Sequence, residues 1–366
     1  MLKNHEMNVS ILHAGAMRNP ATGVIRQMEE EQAAAQTLGI DWDTRLFYKL
    51  GEKSNICIPA PNTDSRYEFK RGFYTWLKSE TLNYDALLLR YAKCDPLQTI
   101  FIRQCKIPVF TVHHTLELQE LIVNRTPANR LRYLTEKVLG PLTLKKADGI
   151  IGITKEMANY NLKRSGANVQ TYTYPNGAAY AENCVIPRAR DRRKHELLII
   201  ASKYSRWIGF DLLLDAVRDS KDDFTVHVVG ELNSTQIEQT KSDCRFITYG
   251  LLSHAEIHPL ISRSSVGIGS LALFRNGMKE GNTLKVKEYL RAGLPVYAGY
   301  QDVFPDTFPY YRNGPVNMEE MLAFCEIMRK HAPQTISDIA RPYIEKSQLL
   351  KKIHNQIGTQ LLKKNQ

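Results

Sequence analysis

The sequence predicts an α/β chain built from two Rossmann-like domains, and three observations carry that prediction. Apolar, strand-like runs alternate with helical patterns along the chain, which argues for parallel sheets covered by helices. The alternation is broken once, at 181–196, where AENCVIPRARDRRKHE is charged, contains proline and shows little periodicity, as a linker does. At 366 residues with 43% hydrophobic content, the chain is long enough for two cores of ordinary size. The expected domains are 1–180 and 190–335.

In chain order, MNVSILHAG reads as the first strand and the loop GAMRNPATGVIRQ leads into a helix, VIRQMEEEQAAAQTLG, that Gly39 closes. DALLLRY at 85–91, IPVFTVHH at 107–114 and ADGIIGIT at 147–154 are buried strands, the last followed by a helix, KEMANYNLKRSG. After the YPNGA turn and the linker, a second alternation begins. It runs strand ELLIIAS, helix GFDLLLDAVRD, strands FTVHVVGE and CRFITYG, helix HAEIHPLISRS and strand VGIGSL. From about Ile336 the chain reads as helical to its end.

Composition excludes several classes. The six cysteines, at 57, 94, 105, 184, 244 and 325, form neither a Cys-x-x-Cys pair nor a His-rich ligand pattern, so neither zinc nor a disulfide framework is expected. A reducing cytosol fits, and no run of 18 apolar residues suggests a membrane span or signal peptide. The net charge of +11 and pI near 9.2 call for an anionic partner: a nucleotide diphosphate, a lipid phosphate, an anionic membrane or nucleic acid. Zinc-finger spacing, RNP-like aromatics and basic heptads are all missing, so nucleic acid is not expected.

The most informative window is the 17 residues from Glu280 to Val296, EGNTLKVKEYLRAGLPV. Asn282 or Thr283 can cap a helix running from about Thr283 to Arg291, with Gly293 and Pro295 as its stop and a buried strand after it. The first-turn amides, from Leu284 onward, have no intrahelical partner and carry the positive end of the helix dipole, an anion site that Lys285 reinforces. Glu288 lies five residues beyond Thr283, or roughly 7.5 Å along the axis at about 1.5 Å per residue, which is within reach of a ribose attached to a bound diphosphate. Glu280 precedes the helix and is placed to accept hydrogen bonds from sugar hydroxyls on the other side of the phosphates. The order carboxylate, amides, carboxylate suits a nucleotide-sugar diphosphate. The bland alternative is an amphipathic surface helix with solvated charges.

This window resembles the Glu-x7-Glu signature of family 4 retaining glycosyltransferases, in particular their bacterial polysaccharide and lipopolysaccharide branch, where it often reads like EGSPLKVREYLARGIPV. Asn282-Thr283 stand here where Ser-Pro is usual. The resemblance implies the glycosyltransferase B fold: two Rossmann-like domains facing across a cleft, with a last helix, about 340–366, crossing back onto the first. It assigns acceptor binding to the first domain and the nucleotide sugar to the second, and it implies that neither a metal nor a cofactor is needed.

The segment ASKYSRWIGFDLLLDAV, 201–217, resembles the family's Gly-Arg-Leu...Lys-Gly-x-Asp pattern, whose arginine and lysine neutralise the departing diphosphate. Lys203 takes the arginine position and Ile208 the lysine position, Gly209 and Asp211 are kept, and Arg206 with Lys285 supplies charge in place of the missing lysine. At the end of the strand VFTVHH, alternation sends His113 and His114 to opposite faces. The family's sugar-approaching histidine matches His114, which Thr115 follows, and His113 is left as a core or helix-facing residue. Gly15 and Gly23 resemble the family's glycine-bearing loop near the donor phosphates. Basic residues around Arg125, Arg130 and Arg132, and Lys137, Lys145 and Lys146, suggest an acceptor or anionic-membrane face.

The resulting expectation is a retaining, metal-independent transferase. It takes a nucleotide-diphosphate sugar as donor and a glycan or lipid-linked acceptor, in the cytoplasm or at the inner face of the membrane. The departing diphosphate itself assists removal of the acceptor proton, and the protein contributes positioning and charge. A sugar-nucleotide epimerase or phosphorylase of the same fold is the alternative, followed by a non-catalytic or nucleic-acid-binding protein.

Overall fold

The structure, a computed structural model, describes residues 9–20, 22–49, 54–123, 126–180 and 194–364. Nearly all of the expected linker, and Arg125, lie outside the described residues. The chain divides into two compact units: Met1–Ala179 with Lys346–Gln366, and Tyr180–Glu345.

The first unit holds a parallel sheet of β1 (Ile11–Ala16), β2 (Trp42–Tyr48), β3 (Cys57–Pro59), β4 (Ala86–Arg90), β5 (Val109–His113), β6 (Gly149–Gly152) and β7 (Gln170–Thr173), in the order β3-β2-β1-β4-β5-β6-β7. Its helices are α1 (Thr22–Leu38), α2 (Arg66–Glu80), α3 (Pro96–Gln104), α4 (Glu117–Val123), α5 (Pro127–Leu144) and α6 (Lys155–Ser165). Strand alternation sorts the core into two faces. Ile11, Ala86 and Leu88 pack on one side, whereas Leu12, Leu87 and Leu89 join Phe69, Phe73 and Phe101 from α2 and α3 on the other.

The second unit repeats the plan with β8 (His195–Lys203), β9 (Phe224–Glu231), β10 (Phe246–Gly250), β11 (Val266–Ile268), β12 (Val296–Ala298) and β13 (Tyr311–Asn313). The order β10-β9-β8-β11-β12-β13 is all parallel and reverses between β8 and β11, as in dinucleotide-binding sheets. Helices α7 (Phe210–Asp219), α8 (Ser234–Lys241), α9 (His254–Arg263), α10 (Leu284–Arg291), α11 (Met318–Met328) and α12 (Pro333–Ile344) surround one continuous core.

The last helix, α13 (Lys346–Lys364), returns to the first unit. Leu350, Ile353 and Ile357 are buried among Ile11, Trp42, Leu88 and Val112, and the His354 Nε2 meets the Val9 carbonyl at 2.9 Å. The crossing helix expected from the resemblance is thus present, held by an apolar stripe.

One expectation changes in detail. The helix after β1 starts at Thr22, so Gly23 sits in its first turn rather than in a loop before it. Strand β8 runs through Ser202 to Lys203, so Lys203 closes the strand. The chain also carries one Asp-x-Asp sequence, Asp41 to Asp43, of the kind often found holding a metal. It straddles the start of β2, where Asp43 accepts from the Tyr84 hydroxyl at 2.7 Å and pairs with Arg45 at 3.1 Å. That is the amino end of the strands, away from the carboxyl ends where ligands of such sheets gather.

Candidate active site

In the second unit, β11 feeds a loop, a short 3-10 turn at Leu273–Asn276 and then the strip carrying Glu280. Glu280 makes a parallel bridge with Gln301, and the Gly281 amide donates to the Gln301 carbonyl at 2.9 Å, which clamps the strip beside the segment after β12. Only glycine fits next. A Cβ on Gly281 would stand 2.4 Å from Leu273 Cδ1 and 2.6 Å from the Tyr300 ring.

Helix α10 begins as expected, one residue after Thr283, whose backbone is extended at φ −90° and ψ 141°. The Thr283 side chain does not cap; its hydroxyl pairs with the Tyr300 hydroxyl at 2.9 Å. The amides of the first turn, beginning with Leu284, therefore receive no side-chain acceptor. Asn282 is buried and turns its side chain away, donating to Asp302 Oδ1 at 2.9 Å. That oxygen also accepts from the Val303 amide at 2.7 Å and from the fully buried Lys287 ammonium at 2.5 Å, which lies 4.4 Å from the centre of the Phe304 ring. Lys287 thus anchors the helix start, a role its sequence neighbours do not announce.

Lys285 is different. Its Nζ is shielded from solvent and has no hydrogen-bond partner, and burial pushes the ammonium down to about 8. An unpaired cation in the first turn of a helix whose end is uncapped is an arrangement that an anion completes. Glu288 is half-buried one turn further along the same helix.

The basic loop after β8 is fastened to the strip that leads to Glu280. The Leu271 amide donates to the Ile208 carbonyl at 2.7 Å, and Arg275 donates to the Arg206 carbonyl at 2.8 Å and to both oxygens of Asp211 at 2.8 and 2.7 Å. Gly209 at φ +75° makes the left-handed turn into α7. Ile208, at the position of the family's lysine, is a core residue. Lys203 is exposed and reaches Glu231 at 3.7 Å, while Arg206 is exposed beside a cavity of about 220 Å³ that Tyr204, Asn233, Gln236 and Arg275 also line.

In the first unit, His113 and His114 face opposite ways. His113 is fully buried, bonded through Nδ1 to Glu117 at 2.6 Å and through Nε2 to Thr111 at 3.1 Å, and stacked on Tyr91 at 4.6 Å. Glu117 belongs to a buried network in which Arg164 pairs with it at 3.5 Å and with Glu136 at 2.9 Å. His114 instead lines a small cavity of about 10 Å³ with His13, Glu31, Arg90, Tyr174 and Asn176, room for about one water. Its Nε2 is buried and unpartnered, and burial, followed by the neighbouring Arg90 guanidinium, holds it well below the usual histidine range. His114 is therefore neutral at pH 7.

Glu31, on α1, is the acid of that cavity. It takes hydrogen bonds from His13 at 2.6 Å, Trp42 at 3.2 Å, Thr44 at 3.1 Å and Tyr174 at 2.8 Å. Burial alone would raise its pKa, but His13 and Lys346 more than offset that and hold it at about 2. Gly15 lies under the stem of Arg90, and Gly23 is exposed.

Sequence reasoning did not reach Arg275, Ser270, Lys287 or Glu31. Arg275 had one signal, the aspartate at 211 beside a basic loop, which calls for a partner. Ser270, buried just past β11 with its hydroxyl unpartnered, had none.

Comparison with solved structures gives the class of fold. The chain resembles an apo lipopolysaccharide outer core galactosyltransferase, WaaB, at 11% identity and TM-score 0.67 over 96% of this chain and 99% of that one. It resembles the Anabaena protein HepE in complex with UDP-glucose at 13% identity and TM-score 0.63, over 96% of this chain and all of the other. A putative UDP-N-acetylglucosamine 2-epimerase from Listeria monocytogenes matches at 14% identity and TM-score 0.58, over 97% of each chain. The chain has the glycosyltransferase B fold. Comparison with family models and with curated proteins yields no match.

Proposed function

We propose that the protein is a family 4-type retaining glycosyltransferase that moves a sugar from a nucleotide-diphosphate sugar to a glycan or lipid-linked acceptor in cell-surface polysaccharide synthesis. One observation carries the reading: the uncapped start of α10 holds the unpartnered, buried Lys285, with Glu280 before it and Glu288 after it.

In this mechanism the second unit binds the donor. The first-turn amides and Lys285 hold the diphosphate, Glu288 accepts from the ribose hydroxyls, Glu280 accepts from hydroxyls of the transferred sugar, and Lys203 or Arg206 adds charge from the loop after β8. Charge builds on the diphosphate as the glycosidic bond breaks, and a bound phosphate raises the Lys285 pKa back toward its ordinary value, so the ammonium is charged when it is needed. With Glu280 and Glu288 assigned to the sugar and the ribose, the proposal contains no double displacement. The departing phosphate then takes the acceptor proton on the same face, without a metal. The first unit binds the acceptor.

Peripheral membrane attachment at the inner face is part of the proposal. Its support is α5, where Leu131 (67% exposed), Leu134 (59%), Val138 (67%) and Leu142 (54%) form an exposed apolar stripe among Arg130, Lys137, Lys145 and Lys146. No helix among the described residues is long and apolar enough to cross a membrane.

The test is a thermal-shift panel of nucleoside diphosphates followed by product analysis. A diphosphate at a hundred times its dissociation constant adds about 2.7 kcal/mol to stability, and the product formed from the matching sugar donor keeps the donor's anomeric configuration. Indifference to every nucleoside diphosphate overturns the proposal. The Listeria neighbour favours one rival, epimerisation, and isomerised donor in the absence of any acceptor would establish it instead.

A further inference from the structure

A second concavity lies wholly within the first unit, a groove of about 660 Å³ past the carboxyl ends of β1 and β4, between α2 and Arg132 of α5. Its lining is nearly of one sign: Arg66, Lys70, Arg90, Lys93 and Arg132 against a single acid, Asp95. That acid is already engaged, since it caps α3 through the Leu97 amide at 3.1 Å, accepts from the Tyr74 hydroxyl at 2.9 Å and pairs with Lys70 at 3.2 Å.

Arg90 is the decisive residue. Its side chain is half-buried at the groove, and among the described residues the guanidinium takes no hydrogen bond and no ion pair. Glu31, the acid whose field it feels, is already taken up by four donors. Burial pushes Arg90 down only to about 10, so it stays charged at pH 7. A charged fork with five N–H donors and no protein acceptor turns those donors to the groove, where a carboxylate or phosphate matches their geometry. Arg66 is exposed and likewise takes no ion pair among the described residues. Beside these cations, Tyr67 is 61% exposed at the same wall, so a ring face stands next to charge.

We infer that this groove binds an anionic saccharide, a sugar carrying a phosphate or carboxylate that Arg90 grips and whose ring lies against Tyr67. The inference rests on the proposed function, in which the first unit takes the acceptor, and it names that acceptor's charge class.

Calorimetry on the full chain with glucose 6-phosphate, glucuronate, glucose and inorganic phosphate tests it, alongside sedimentation with phosphatidylglycerol vesicles. The charged sugars are expected to bind at least tenfold tighter than glucose and tighter than inorganic phosphate. Arg90→Gln is expected to remove that preference, and Arg66→Gln with Arg132→Gln, both surface positions, to weaken it about threefold without affecting folding. Nucleoside diphosphate binding stays at the wild-type level in all of them. Equal affinity for charged and neutral sugars overturns the inference, and so does Arg90-dependent binding of vesicles with no binding of the sugar phosphates. Either result leaves the proposed function standing if the diphosphate panel is positive.

Discussion

Around β5 in the first unit, the buried acids have partners: Glu117 bonds His113 and Arg164, Glu136 pairs with Arg164, and nearby Glu31 bonds His13. Past β11 in the second unit, the loops are lined by glycine and buried apolar side chains, and the decisive cation, Lys285, is left without a partner. Both units have parallel sheets with the same reversal of strand order, so topology is not the source of the difference. Paired charges lock a scaffold, whereas an unpaired one waits for a ligand, and function resides in such local chemistry rather than in the fold.

The comparison breaks most visibly if a partner is removed from the first unit. Arg164→Met leaves Glu117 and Glu136 buried without their cation and is expected to cost about 3–5 kcal/mol, read as a shifted urea midpoint. Below the unfolding transition, nucleoside diphosphate affinity should be unchanged; a midpoint like wild type would show that the network is not holding the scaffold.

Removing the unpaired cation of the second unit does the reverse. Lys285→Ala is expected to lower turnover about a hundredfold to a thousandfold, the usual loss of one well-aimed donor. Lys285→Met should melt higher than wild type, because a cation with a folded pKa of about 8 against 10.5 opposes folding while it is charged. In wild type that burden is full below pH 8 and lifts as pH rises from 8 to 10.5, a gain that Lys285→Met lacks. Diphosphate affinity should fall above pH 8 for the same reason. Wild-type turnover in Lys285→Ala would end the phosphate assignment.

Acid separates the units next. Glu31 is held at about 2 when folded against 4.5 ordinarily, so its contribution is complete above pH 4.5 and is lost as pH falls toward 2. Urea midpoints of wild type should drop over that window, and those of Glu31→Gln should drop less. The smallest effect belongs to Lys203→Ala. Its contact with Glu231 is exposed at 3.7 Å, so stability should change by less than about 1 kcal/mol, with a fewfold loss of diphosphate affinity in a titration.

Much of the architecture was legible because strands buried on both faces write continuous apolar runs, as in ALLLR of β4 and GIIG of β6. Strand β2 was not, because Asp43 and Arg45 interrupt WDTRLFY, and β3 and β13 are three-residue edge strands without a pattern of their own. The Glu280 window was legible because cap, first turn and stop all fall within 17 consecutive residues. Asn282 and Thr283 were read as alternative caps of α10, yet their side chains are committed to Asp302 and Tyr300.

From its sequence alone this protein determines what acts over short range: which segments are helix or strand, where α10 starts, and that Lys285 stands in its first turn. The tertiary structure decides which charges are satisfied. Lys285 and Lys287 are two residues apart on one helix, and nothing local distinguishes them. Asp302, brought up from beyond β12, takes the second and leaves the first alone. Pairing of buried charges depends on which chain segments meet in space, and in a parallel sheet those segments are distant in sequence.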